Sequence, residues 1–373
     1  MRKLLKEIAV ISSGQNAPQG SNDYSDNGIP FVKAGNLYEL LNGRDINEIQ
    51  KVSNDVAKKF KLKLFKKGTI LFAKSGMSCL KGYVYILPCD AYVVNHLACV
   101  IPKENISDYL SYFFNYHKPN QLIKDSAYPS ISLSDIGNIA VNLVEDSERV
   151  HHVQVLDGIQ KIVLAKKQEL KLLDDLIKAR FVEMFGDPER NPFGWEKVGI
   201  STVVCGKASN GFFAKRDDYK TDGNVAVLGV AYIVNRMYSQ VENLPRTNAS
   251  VSDIQKYRVK YGDMLFCRSS LVAEGIGKAS IVPENTPDKT LFECHVIRLQ
   301  LDLNKCIPEF IQVLSTTDYF RNQIIAQSKT ATMTTIGQEG ILKTTIVLPP
   351  KEKQREFYSF VKQIDKSKFS KIA

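Results

Sequence analysis

The sequence predicts an α+β fold, in which two repeated mixed α/β domains are separated by long helices forming an antiparallel coiled coil, with pseudo-twofold symmetry between the copies. Two observations predict it. The first lies between residues 146 and 185, where Leu156, Val163, Leu170, Ile177 and Met184 recur every seven residues. Ile159 and Leu173, with the amphipathic Lys166 and Arg180, fall between them at three/four spacing, the period of a helix offering one seam to another. The second is a repeat. Phe65-Lys-Lys-Gly-Thr-Ile-Leu-Phe-Ala-Lys-Ser75 lies against Val259-Lys-Tyr-Gly-Asp-Met-Leu-Phe-Cys-Arg-Ser269 at an offset of 194, with Lys66, Gly68, Leu71, Phe72 and Ser75 identical in both. His96-Leu97 meets His295-Val296 at 199, and Ile131, Ile136, Val141 and Leu143 meet Ile336, Ile341, Ile346 and Leu348 at 205. Such growing offsets follow from insertions in the second copy. A chain of 373 residues holds two ordinary domains and a connector.

In chain order, residues 1–145 form the first domain. Residues 14–28 have the Gly, Asn, Asp, Ser and Pro content of a loop. Strands are expected at 29–33, 69–73, 82–87 and 96–101, and a helix around 107–116. Residues 146–190 are the connector, a helix of roughly 40 residues and about 60 Å at 1.5 Å per residue. It stops at Gly186-Asp187-Pro188, where Gly ends a helix and Pro forbids its resumption. Asn191-Pro-Phe-Gly-Trp195 is a compact turn opening the second domain, 191–348, in which the apolar run 225–234 reads as one buried strand. Pro349-Pro350 closes that domain and starts a short last helix, 349–373, on which Phe357, Val361 and Ile364 continue the seam. Antiparallel packing of the two helices is the simplest way to cover both seams.

Composition bounds the function. A 44% hydrophobic and 24% charged chain is that of a globular protein. Its net charge of +10 points to a polyanion, with nucleic acid ahead of a membrane surface. The longest apolar run has ten residues, far short of a span, and Lys6 and Glu7 interrupt any secretory signal core. Seven cysteines without a Cys-x-x-Cys pair indicate neither a disulfide framework nor zinc, so a cytoplasmic location is expected.

Catalytic signatures are absent. There is no Asn/Asp-Pro-Pro-Tyr/Phe loop and no Gly-x-x-x-x-Gly-Lys-Ser/Thr, and His151-His152, adjacent on a helix, make a poor ligand pair. Neither a metal nor a cofactor is expected in this chain. What remains is binding. The repeat places Lys74, Ser75 and Lys81 after one strand and Arg268, Ser269, Ser270 and Lys278 after its counterpart. Arg and Lys can contact guanine edges or phosphates, and Ser can serve either role. Lys33, Asn36, Lys215, Arg216 and Arg236 are weaker loop candidates. His96 and His295 read as core histidines, and Phe181, Phe185 and Trp195 as packing residues.

These features resemble the specificity subunit of type I restriction-modification systems over nearly the whole chain. The resemblance rests on the repeated Gly-x-Ile/Met-Leu-Phe-x-Lys/Arg-Ser blocks, on Val155-Leu-Asp157, and on Phe181-Val-Glu-Met-Phe-Gly-Asp-Pro188 leading to Asn191-Pro-Phe-Gly-Trp195. The last is similar to the family's central conserved region. It implies that each globular copy is a target recognition domain reading one half of a bipartite site on double-stranded DNA. It further implies that the helices fix the gap between half-sites and dock two methyltransferase subunits, which use S-adenosylmethionine to methylate adenine. A restriction subunit driven by ATP, with Mg, would join for cleavage, and the chain itself would be non-catalytic. The last helix is short for a full partner, so the expected seam of the connector is covered only in part by it, or else by a partner subunit or a second copy. Two other readings share these residues: the specificity subunit of a two-component enzyme whose single partner both methylates and cuts, and a scaffold that does not bind DNA.

Overall fold

The computed structural model describes residues 1–271 and 273–370. Contacts divide the chain into two compact units, Met1–Ala165 and Lys166–Ala373, with the division inside the long helix Asp146–Phe185.

The first unit is built on a four-stranded antiparallel sheet in the order Ala9–Ser13, Leu97–Pro102, Ile70–Ala73, Val84–Ile86. All four residues of Ile70–Ala73 are buried, as befits a central strand with neighbours on both sides and layers on both faces. A three-stranded sheet, Lys51–Val52, Ile29–Val32, Tyr92–Val93, carries a parallel pair between the last two. Arg2–Leu4 pairs with Ala140–Asn142. The helix Ser107–Tyr116 buries Leu110 and Phe114, four residues apart on one face, and Phe114 packs 5.3 Å from Phe72 of the central strand.

The second unit repeats this plan strand for strand. Its four-stranded sheet runs Ser209–Asn210, Val296–Gln300, Asp263–Cys267, Ala279–Ile281, and its three-stranded sheet runs Arg246–Thr247, Val225–Leu228, Thr290–Phe292, again with the last pair parallel. Lys197–Gly199 pairs with Thr345–Val347 as Arg2–Leu4 does with Ala140–Asn142. The register matches too: Leu71 faces Cys99, and Leu265 faces Arg298. Both central strands are preceded by the same turn, with Gly68 at φ 85° and Gly262 at φ 81°, a conformation costly for any residue with a Cβ. A glycine near the first sheet strand recurs for a different reason. A Cβ on Gly14 would lie 2.2 Å from the Val93 and Val94 carbonyl oxygens, and one on Gly211 would lie 2.2 Å from those of Phe292 and Glu293. Backbone crosses backbone there, in both copies.

The run 225–234 is not one strand. The strand ends at Leu228, and Val230–Tyr232 is a single 3₁₀ turn. The Glu293 carboxylate accepts the Val230 N–H at 3.0 Å, which takes that donor out of any ladder and turns the chain. A small extra sheet, Ser269–Ser270, Thr334–Thr335, Lys329–Thr330, has only a single bridge, Ser75 to Ser130, as its counterpart in the first unit.

The long helix ends as its sequence requires. Gly186 has φ 74°, and a Cβ there would sit 2.4 Å from Pro192 Cγ. Trp195 Nε1 donates to the Phe185 carbonyl at 2.9 Å, satisfying one of the orphan acceptors of the helix terminus. Asn191 braces that tryptophan twice, accepting from its N–H at 2.9 Å and donating to its carbonyl at 2.7 Å. The last helix, Lys351–Ser370, lies against the final turns of the long one. Phe181 and Phe185 each meet Phe357 at 5.6 Å and Phe310 at 5.4 and 4.8 Å. Arg180 lies over Phe360, and Ile177 shares the core with Ile364, so the two helices run antiparallel over this stretch. Of the seam residues, Ile177, Phe357 and Val361 are buried, while Leu170, Leu173, Met184 and Ile364 are half-buried. Leu156, Ile159 and Val163 are exposed, along with Ile162 and Leu164. In the first unit the long helix is tied by Tyr112, whose hydroxyl donates to Asp157 Oδ1 at 2.6 Å and Gln160 Oε1 at 2.9 Å.

Candidate nucleic-acid interface

In each unit the central strand of the four-stranded sheet runs out into a polar patch. At the end of Ile70–Ala73, Lys74 donates its N–H to the His96 carbonyl at 2.9 Å and accepts the Ile131 N–H at 2.8 Å. At the end of Asp263–Cys267, Arg268 donates to the His295 carbonyl at 2.9 Å and accepts from Ile336 at 3.0 Å. Each cation is therefore held by the same two backbone bonds. Beyond it, Ser75 Oγ lies 2.8 Å from His96 Nδ1, and Ser269 Oγ lies 3.4 Å from His295 Nδ1.

Both histidines are exposed. This corrects their reading as core residues: Leu97 and Val296, which open the buried strands, face the interior, while each histidine sits in the turn just before its strand. The signal was present in the sequence, since serine and histidine recur together at matched positions. Adjacency to an apolar strand hid its direction.

The remaining candidates divide by what already occupies them. Lys81 is exposed at the end of the turn Met77–Lys81, and Lys215 and Arg216 are exposed on a loop, where the Lys215 N–H caps onto Asp218 at 2.8 Å. Lys33 donates to Gln50 at 2.7 Å and lies 4.3 Å over the Tyr24 ring, while Asn36 accepts the Lys33 N–H at 2.9 Å at the start of the helix Asn36–Leu41. Arg236 donates to Gln240 at 2.6 Å, and Lys278 donates to Asn235 at 2.7 Å. Arg268 spends one guanidinium N–H on the Cys294 carbonyl at 3.1 Å. Ser270 is half-buried on the small extra sheet. The geometry brings Lys74, Ser75 and His96 together in one unit, and Arg268, Ser269 and His295 in the other.

Around His96 lies an open concavity of about 920 Å³, lined also by Gly14, Gln15, Asn16 and Asn95. Asn95 Nδ2 donates to Asn16 Oδ1 at 2.6 Å, and Gln15 Nε2 donates to the Lys61 carbonyl at 2.9 Å. Sequence reasoning missed these amides, which lie in a loop without any periodic signal. Among the described residues no group of three His, Cys, Asp or Glu side chains is placed to hold a metal ion, and no helix is long and apolar enough to cross a membrane.

Twin α+β domains of one topology, joined through a long helix and each ending its central strand in a cationic, polar patch, define a tandem-duplicated protein with one such patch per copy. The chain belongs to the type I restriction modification DNA specificity family, whose model matches residues 2–173 and again residues 192–372. It is 30% identical over 195 residues to the type I restriction enzyme MjaIX specificity subunit of Methanocaldococcus jannaschii, an alignment covering 50% of this chain and 43% of that one. It is 28% identical over 120 residues to the EcoKI specificity subunit of Escherichia coli K12, covering 31% of this chain and 25% of that one. The matched segments thus span less than half the length of these relatives. The fold is similar to the crystal structure of a type I restriction-modification S subunit from M. genitalium, with a TM-score of 0.52 at 9% identity, covering 99% of this chain and 90% of that one.

Proposed function

We propose that this chain is the DNA-reading specificity subunit of a type I restriction-modification enzyme, each domain reading one half of a bipartite duplex site. The observation that carries the reading is the duplication of the patch, with Lys74-Ser75-His96 in one domain and Arg268-Ser269-His295 in the other held by equivalent backbone bonds. Two such patches suit a ligand with two separated binding stretches, and the charge of +10 suits a polyanion. In this reading the chain recognises and its partners react. S-adenosylmethionine, ATP and Mg belong on methyltransferase and restriction subunits. The exposed stripe of Leu156, Ile159 and Val163 is the surface we assign to methyltransferase docking, because a row of apolar side chains along one helix face gains by being covered.

The test is adenine-methylation mapping by long-read sequencing of DNA from cells carrying this chain with a methyltransferase encoded beside it, against cells lacking only this chain. A methylated bipartite motif that disappears with the chain is the expected result. An unchanged methylation pattern would overturn the reading.

A further inference from the structure

The two patches are alike in one part and different in another, and the difference is informative. Parallel bridges pair Gln15 with Val94 in the first domain and Phe212 with Glu293 in the second. That register makes Asn16 equivalent to Phe213, Asn95 to Cys294, and His96 to His295. The serine and histidine, with the cation before the serine, are therefore retained in both copies, while Asn16 and Asn95 give way to Phe213 and Cys294. A side chain common to both domains does not supply the difference between two half-sites. What any two half-sites always share is the sugar-phosphate backbone, and what sets them apart is base edges.

Each part has the chemistry for its role. The serine hydroxyl engages histidine Nδ1. With the hydroxyl donating, the ring proton sits on Nε2, a donor for an outside acceptor such as a phosphate oxygen. In the first domain the bond from Asn95 Nδ2 to Asn16 Oδ1 ties two amides together and leaves Asn16 Nδ2 as a donor and Asn95 Oδ1 as an acceptor. A donor and an acceptor are the groups that adenine N7 and N6–H call for in the major groove. In the second domain Phe213, 68% exposed, presents an apolar face, which suits a thymine methyl and cannot replace the amides.

We propose that the serine–histidine pair of each domain holds a phosphate of its half-site, and that the adjacent pair reads bases, Asn16 with Asn95 recognising an adenine edge and Phe213 a thymine methyl. This assignment rests on the DNA-reading function above. The test uses the full-length chain and a duplex library with randomised segments, from which wild-type protein selects its motif. His96→Ala is expected to weaken binding about tenfold while selecting the same motif. On duplexes of that motif with single neutral methylphosphonates, one substitution in the first half-site should weaken wild type and leave His96→Ala unaffected. Asn95→Ala, and independently the exposed Asn16→Ala, should lose preference for adenine at one position of the first half-site only. Phe213→Ala should lose preference for thymine at one position of the second. A His96→Ala motif altered at any base, or asparagine variants that retain the full motif, would overturn the assignment while leaving the DNA-reading function intact. Failure of wild type to select any motif would overturn both.

Discussion

Asp263 and Arg298 show at single-residue scale how two copies of a domain diverge. They are buried side by side, 3.9 Å apart, where the first domain has the neutral Thr69 and Cys99 at matched register. Thr69 donates its hydroxyl to the Lys66 carbonyl at 2.7 Å, and Asp263 instead accepts the Lys260 N–H at 2.9 Å, so both brace the same glycine turn. Arg298 donates to the carbonyls of Arg258 and Lys256, satisfying the end of the helix Val251–Tyr257. Burial pushes the Asp263 carboxyl up to about 6, against the pull of the Lys260 N–H and Arg298. The folded state therefore binds this proton more tightly than the unfolded chain. Its contribution to stability is full below the ordinary carboxylate value and is lost as pH rises through about 6. Arg298→Met removes the buried cation paired with it. Unfolding free energy should fall by about 3–5 kcal/mol, and urea denaturation should show the loss growing from pH 4 to pH 8. Equal losses at both pH values would mean that Asp263 does not ionise there.

At the scale of elements, the join between the long helix and the second domain is a cluster of four phenylalanines, Phe181, Phe185, Phe310 and Phe357, all fully buried. Phe357→Ala should cost about 3–5 kcal/mol and release the last helix, visible as a lowered urea midpoint with loss of helical circular dichroism. The join to the first domain is polar and smaller. Tyr112→Phe removes a hydroxyl bonded to Asp157 and Gln160 and should cost about 1 kcal/mol. Hydrogen exchange in the first turns of the long helix should then rise, with no change around Phe181. The crossing of backbone at Gly14 and Gly211 is tighter than either. Alanine at either position would place Cβ 2.2 Å from carbonyl oxygens, and each variant should fail to fold its own domain, as read by limited proteolysis.

For the whole molecule, the decisive quantity is the apolar surface left on the long helix. Ile159 is 52% exposed and Val163 45% exposed, although the heptad pattern marks a packed seam. Among the described residues, the last helix covers the turns from Ile177 to Phe185. Ile159→Asp should therefore change the stability of the isolated chain by less than about 0.5 kcal/mol and yet prevent assembly with a methyltransferase, measured by co-purification and size-exclusion chromatography. Assembly that survives the substitution would place the docking surface elsewhere. Duplex binding should weaken steeply with salt in proportion to the phosphates contacted.

The long helix from Asp146 to Phe185, its stop at Gly186, the helix Ser107–Tyr116 and the repeat were legible because each has a local cause: a period, a breaker, a block of identity. The same local logic failed at residues 225–234, where Glu293, distant in sequence, ends the strand at Leu228. It failed at His96 and His295, each followed by a buried strand residue but itself exposed in the turn before that strand. By itself the sequence determined the duplicated α+β plan, the helical connector and the cationic strand ends, since these follow from periodicity, turn chemistry and charge. Only the tertiary structure decided which polar groups meet. Ser75 with His96, Ser269 with His295, and Asn16 with Asn95 come from segments 21, 26 and 79 residues apart, and strand pairing, a long-range choice of register, is what brings them together.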